Sequence, residues 1–219
     1  MRFDGIIFDL DGTLLDSIED IGTATNRVLA ELGKPTHAIS AYQYLVGDGV
    51  SVLFQRALPE TIEDPGLRSR CMEMFEIAYS EEWNKRSKPY DGIPGLLNSL
   101  VVERLRVGVL SNKPEEFTKR CSSYFFPTIP FDLVVGHSDR FPRKPDPSSA
   151  RWMAEQWEVD SNRIAYVGDT NTDMKTAVGA GFFAIGVTWG FRPESELREH
   201  GAMQLVHSAR ELQEFLLAD

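Results

Sequence analysis

Phe3-Asp4-Gly5-Ile6-Ile7-Phe8-Asp9-Leu10-Asp11-Gly12-Thr13 is the stretch that decides the fold. Ile6, Ile7 and Phe8 are apolar and β-prone, so the segment reads as a buried strand that releases two carboxylates and a Gly-Thr turn into a loop. Two acids spaced i, i+2 at a strand end can converge on one divalent cation once the loop curls. One of them can attack phosphorus while the other moves a proton. Gly12 lets the backbone approach an anion, and Thr13 supplies a hydroxyl and an N–H. Taken alone, the segment is equally a polar strand-to-loop turn that happens to be acidic.

The chain beyond it alternates. The spacing predicts a helix over 17–32, with Ser17 as cap and Asp20 three residues on, ended by Gly33 and Pro35. Further helical patterns cover 41–45, 50–58 and 67–83, with no convincing strand between Ser17 and Lys88. Residues 16–88 therefore read as an all-helical insertion. Residues 1–15 with 89–219 read as an α/β core, entered through the Pro/Gly-rich run Pro89-Tyr90-Asp91-Gly92-Ile93-Pro94-Gly95. There, apolar strands over 107–110, 133–135, 164–167 and 183–187 alternate with helices over 96–102, 115–124, 147–157, 172–180 and 212–217. That alternation implies a parallel sheet covered on both faces, a three-layer Rossmann-like core, whose ligands bind outside the carboxyl ends of the strands.

Composition narrows the function classes. The chain has 219 residues, 42% hydrophobic, and a net charge of -10, which argues against nucleic acid or an anionic membrane as partner. The two cysteines, Cys71 and Cys121, have no Cys-x-x-Cys spacing, which fits a reducing compartment rather than a disulfide scaffold or zinc site. The first residues do not form a signal peptide and no stretch has the apolar length of a membrane span. A cytoplasmic monomer or homodimer is expected.

Three more strand ends carry chemistry. Ser111-Asn112-Lys113 follows the strand at 107–110; a serine hydroxyl there holds a phosphoryl oxygen or caps the next helix. Arg143-Lys144-Pro145-Asp146-Pro147 fixes the backbone around a lysine, which either points inward to an anion cluster or lies solvated in a loop. Gly168-Asp169-Thr170-Asn171-Thr172-Asp173 places two acids at i, i+4, suited to a shared metal or to a helix N-terminus. Each has a bland explanation, but on one parallel sheet all four would meet at a single rim.

In these four ordered motifs, Asp9-Leu10-Asp11-Gly12-Thr13, Ser111, Lys144 and Gly168-Asp169 with Asp173, the chain resembles the haloacid dehalogenase-like phosphatase superfamily. The likeness spans essentially the whole chain, with the helical block corresponding to that superfamily's cap. Within it, the chain looks most like the phosphoglycolate phosphatases, through 8–17 (FDLDGTLLDS), Val46-Gly47-Asp48-Gly49, 109–114 (VLSNKP), 142–147 (PRKPDP), 166–173 (YVGDTNTD) and 186–192 (GVTWGFR). Asp48 departs from the asparagine of many relatives, and an acid there disfavours an anionic leaving group.

The resemblance implies a phosphomonoester hydrolase acting on a small phosphorylated metabolite. Asp9 is the expected nucleophile, forming an aspartyl-phosphate, and Asp11 the expected acid and base. Mg²⁺ is expected at Asp9, Asp11 (through its carbonyl) and Asp169, with Asp173 beside them. Lys144 is expected to offset negative charge, and Thr13, Ser111 and Asn112 to bind the phosphoryl oxygens. Gly47 and Asp48 are the candidate substrate loop of the cap, Arg56 a weaker one; Trp189 and Arg192 are expected to serve structure or the rim. Other substrates of the class (a sugar phosphate, nucleoside monophosphate or pyrophosphate) remain open, as does a catalytically silent phosphate-binding protein.

Overall fold

A strand buried along its whole length has no solvent face, so something must cover both sides of its sheet. β1 (Gly5–Phe8) meets that condition: every residue in it is buried. The computed structural model describes residues 3–218. After β1 come β2 (Leu15–Asp16), α1 (Ile18–Glu31), α2 (Tyr42–Leu45), α3 (Val50–Ala57), α4 (Pro65–Glu82) and β3 (Lys88–Pro89). The chain continues through α5 (Ile93–Val102), β4 (Arg106–Pro114), α6 (Glu115–Phe125), β5 (Leu133–His137), α7 (Ser148–Trp157), β6 (Ile164–Gly168) and α8 (Asn171–Ala180). It closes with β7 (Phe183–Val187), α9 (Glu194–Glu199), β8 (Gln204–Val206) and α10 (Ala209–Leu216).

Six strands form one sheet in the order β5-β4-β1-β6-β7-β8, every neighbouring pair parallel. The direction of winding reverses beside β1, and the crevice at that reversal is where such sheets bind ligands. The four expected strands after 89 are present. β8 and α9 were not expected: a three-residue strand and a six-residue helix are too short to show a period. β4 also runs further than its apolar run, through Ser111, Asn112 and Lys113 to Pro114, with a register shift against β5 between Leu110 and Pro114.

The chain divides into two compact units, one reaching up to Leu15 and resuming at Pro89, the other Asp16–Lys88. The second unit contains helices, with an aromatic centre in which Phe75 stacks on Tyr79 at 5.3 Å and meets Phe54 edge-on at 6.0 Å. Burying each such ring is worth about 1.5–3 kcal/mol relative to leaving it exposed. Its longest helix begins at Pro65 rather than at 67, because Asp64 accepts from Leu67 N–H and Pro65 suits the first turn.

Ser17 stands at the N-cap of α1 as expected, but its side chain makes no capping bond there. Asp20 is fully buried and turns instead to the far end of the same unit. It accepts from Arg86 N–H at 3.1 and 3.0 Å, from Ser87 N–H at 2.8 Å and from the Ser87 hydroxyl at 2.7 Å. Removing the carboxylate strands buried donors. Asp20→Ala should therefore lower the unfolding free energy by roughly 2–4 kcal/mol, read by urea denaturation. A loss below about 0.5 kcal/mol, the scale of an ordinary surface substitution, would contradict this anchoring.

Candidate active site

Adjacent strands in register deliver the residues that follow them to the same rim. Phe8 of β1 lies opposite Val167 of β6, and the ladder continues with Asp9 N–H donating to Val167 O at 2.9 Å. Asp9 and Asp169, each just past its strand, therefore leave the sheet side by side. Ligand oxygens of Asp9, Asp169 and Asp173 lie within 4.8 Å of one another, all three residues buried.

Lys144 enters this cluster with its side chain only 3% exposed. Its Nζ lies 2.7 Å from Asp9 Oδ1 and 2.7 Å from Asp173 Oδ1, and within reach of Leu110 O and the Tyr166 hydroxyl. The prolines of its loop are not its only restraint. Asn112 Oδ1 accepts from Lys144 N–H at 2.9 Å and Asn112 Nδ2 donates to Lys144 O at 3.1 Å. The Asn112 amide thus helps to aim Lys144, a use that its expected phosphate contact did not include.

Asp173 serves the helix N-terminus and the lysine at once. One oxygen faces Lys144; the other accepts from Thr170 N–H and its hydroxyl, closing a capping box at the start of α8. Thr13 is buried, and its hydroxyl donates to Asp169 Oδ1 at 3.0 Å. Ser111 is buried at the same rim; it does not cap the following helix, whose N-cap is Pro114. Gly47 and Asp48 belong to the helical unit, where Asp48 Oδ2 pairs with Arg56 Nη2 at 2.5 Å.

The electrostatics of the cluster are unbalanced. Burial pushes the Asp9 carboxyl up to about 7, against the opposing pull of Lys144. Burial, with Asp173 and Asp9 adding repulsion, holds Asp169 well above the usual carboxylate range. Burial also opposes charge on Lys144, but Asp173 and Asp9 outweigh it and keep the ammonium protonated. Three carboxylates thus share one ammonium, a deficit that a divalent cation fits in charge and an all-oxygen donor set fits in chemistry. Asp9 and Asp169 are the residues best placed to hold it, since both oxygens of Asp173 are already engaged.

Asp11 stands apart from this group. Both its oxygens face Lys113, at 3.0 and 2.9 Å from Nζ, with side-chain exposures of 17% and 6%. Lys113 was missed in the sequence. The signal available was its i, i+2 spacing from Ser111 on one strand, which puts both on one face.

The segment 188–192 backs Asp169. Phe191 N–H donates to Asp169 Oδ2 at 2.8 Å, and Trp189 Nε1 donates to Thr13 O at 3.0 Å. The approach is so close that a Cβ on Gly190 would lie 2.3 Å from Asp169 Cβ and 2.5 Å from Gly12 O. Gly12, at φ +94°, faces Asp169 from the other side. Gly190→Ala should cost about 1–3 kcal/mol of stability by overpacking, read by thermal denaturation. Unchanged stability would contradict the contact.

The profile of the haloacid dehalogenase-like hydrolases matches residues 6–187. A phosphoglycolate phosphatase of Cereibacter sphaeroides is 33% identical over 218 residues, covering 98% of this chain and 99% of that protein. One from Pseudomonas syringae pv. tomato is 29% identical over 211 residues, covering 94% and 77%. Among solved structures, a candidate phosphoglycolate phosphatase from Lactobacillus delbrueckii subsp. bulgaricus superposes with a TM-score of 0.91 at 28% identity, covering 100% of both chains. With the profile spanning most of the chain and its own four motifs gathered at one rim, this protein belongs to the haloacid dehalogenase-like hydrolase family.

Proposed function

We propose that this protein is a Mg²⁺-dependent phosphomonoesterase that works through an aspartyl-phosphate, with 2-phosphoglycolate as its substrate. The observation that carries the chemistry is the buried Lys144 bridging Asp9 and Asp173. It holds one Asp9 oxygen in place and pulls against the burial that favours the protonated carboxyl. The substrate assignment draws on the relatives named phosphoglycolate phosphatase.

In the first step, Asp9 attacks phosphorus as the bond to the leaving alkoxide breaks, and Asp11 gives that alkoxide its proton. In the second, Asp11 takes a proton from water as the water oxygen attacks phosphorus and the Asp9–phosphate bond breaks. Ser111 and Thr13 lie at the rim that receives the phosphoryl oxygens. Bound Mg²⁺ supplies charge neutralisation at the phosphoryl group that the ammonium of Lys144 alone does not match.

A second reading, a neutral leaving group such as a sugar, is favoured by the Asp48–Arg56 pair. That contact occupies an arginine beside the Gly47–Gly49 turn with the protein's own carboxylate. Phosphate release from a panel with Mg²⁺ separates the two readings. Strong preference for 2-phosphoglycolate supports the first, and preference for sugar phosphates supports the second. Asp9→Asn should lower turnover by at least about 10³-fold on every ester, since losing a nucleophile removes the covalent path. A variant within about tenfold of wild type would overturn the mechanism.

The raised Asp9 carboxyl sets a pH dependence. In the metal-free protein the folded state holds a proton on Asp9 between the ordinary carboxylate range and about 7, where the unfolded chain does not. That contribution to stability is present at low pH and lost as pH rises through about 7. A cation must displace the same proton. Calorimetric titration with MgCl₂ should therefore show tighter binding at about pH 8 than at about pH 6, with proton release at the lower value. Affinity independent of pH would exclude Asp9 as a ligand.

A further inference from the structure

We propose that Lys113 is the positioning residue of Asp11: it clamps both carboxylate oxygens so that the acid and base of the reaction stays out of the Asp9–Asp169–Asp173 cluster. The inference rests on the phosphatase reading, in which Asp11 moves the proton.

The contact is built from distant parts of the chain. Lys113 and Asp11 are 102 residues apart, on the ends of the adjacent strands β4 and β1. The lysine is fixed before it reaches the aspartate. Its N–H donates to Ser111 Oγ at 3.3 Å, and its carbonyl accepts from the Thr118 hydroxyl at 3.0 Å. It also lies in the stretch of β4 where the register against β5 shifts. With its side chain 6% exposed, the ammonium needs a counter-charge, and Asp11 supplies one at 2.9 and 3.0 Å.

Charge partition explains why two lysines are needed. Asp9 and Asp11 stand two residues apart, yet one must attack phosphorus and the other must move a proton. An aspartate that swung into the cluster would add a fourth carboxylate to a site that already lacks positive charge. Lys144 meets Asp9 through one oxygen, and Lys113 meets Asp11 through both. Each aspartate of the first motif therefore has its own ammonium, delivered from a different segment. Holding Asp11 in one rotamer aims it at the leaving group in the first step, where the effect matters only if the leaving group needs a proton; the second step, in which Asp11 acts on water, is common to every ester.

The test compares an alkyl phosphate, whose leaving alkoxide requires protonation, with p-nitrophenyl phosphate, whose leaving group does not. Saturating Mg²⁺ is used throughout. Lys113→Met should lower kcat/KM, which reports the steps up to departure of the leaving group, by roughly 10²-fold on the alkyl ester, the scale of general acid catalysis, and by only a few-fold on the aryl ester. Lys113→Arg should recover part of the loss. In an Asp11→Asn background, Lys113→Met should cost little more, because the two act as a unit.

Equal losses on both esters, or a loss undiminished in the Asp11→Asn background, would overturn the assignment and leave Lys113 a structural ion pair. Those outcomes presuppose wild-type turnover that Asp9→Asn abolishes. Absence of wild-type turnover overturns the phosphatase reading itself, and its persistence in Asp9→Asn overturns the aspartyl-phosphate mechanism on which the role of Asp11 rests. Should Lys113→Met fail to fold by thermal denaturation, Lys113→Gln carries the same comparison with a neutral side chain of similar reach.

Discussion

A buried ammonium tolerates no second-best arrangement. Lys144 sits among groups that take it out of water almost completely, and without the carboxylates beside it the ammonium would be an uncompensated buried charge costing about 3–5 kcal/mol. Much of the surrounding structure answers that one demand. Asn112 grips the Lys144 backbone at both its N–H and its carbonyl. The Tyr166 hydroxyl touches both the ammonium and Asp173, and Thr170 fixes the opposite oxygen of Asp173. These contacts come from β4, β6 and the start of α8, so sheet, helix cap and loop are coupled through one side chain.

The same arrangement leaves negative charge over. Asp169 has its own donors, the Thr13 hydroxyl and Phe191 N–H, but neither carries a full charge. An acidic chain with a net charge of -10 gains nothing at long range for an anionic substrate. Attraction must come from within the rim. A divalent cation at Asp9 and Asp169 would invert the local sign, and Lys144 and Lys113 stand as the two buried ammonium groups already there.

How much of this the sequence disclosed follows from what each signal requires. The strand ends were legible because a short apolar run followed by acids or a serine needs no partner to be seen. The parallel order was legible because such runs alternate with helices. Lys113 was not, since its meaning depends on an aspartate 102 residues away. The family resemblance implied a phosphate contact for Asn112, but not that its amide holds the backbone of Lys144. Asp20 read as part of a helix cap because it follows Ser17 by three residues, yet its donors come from Arg86 and Ser87 at the other end of the helical unit. In each case local spacing was correct and the partner was non-local. Gly190 is the same case: nothing in Trp189-Gly190-Phe191 announces that Asp169 packs against it.

The fold does not choose the reaction. One architecture can host several chemistries on the same strand ends. What distinguishes one chemistry from another must lie in how the two aspartates of the first motif are held and what accepts the phosphoryl group afterwards. Here they are held unequally. Asp9 is buried, pushed up to about 7 and tied through one oxygen, while Asp11 is more exposed and tied through both. A nucleophile must expose one oxygen to phosphorus, and a proton carrier must keep its orientation between two steps. The unequal pairing of Lys144 and Lys113 matches the restraint that each aspartate's proposed task calls for, and it is a difference that the sheet alone would never impose.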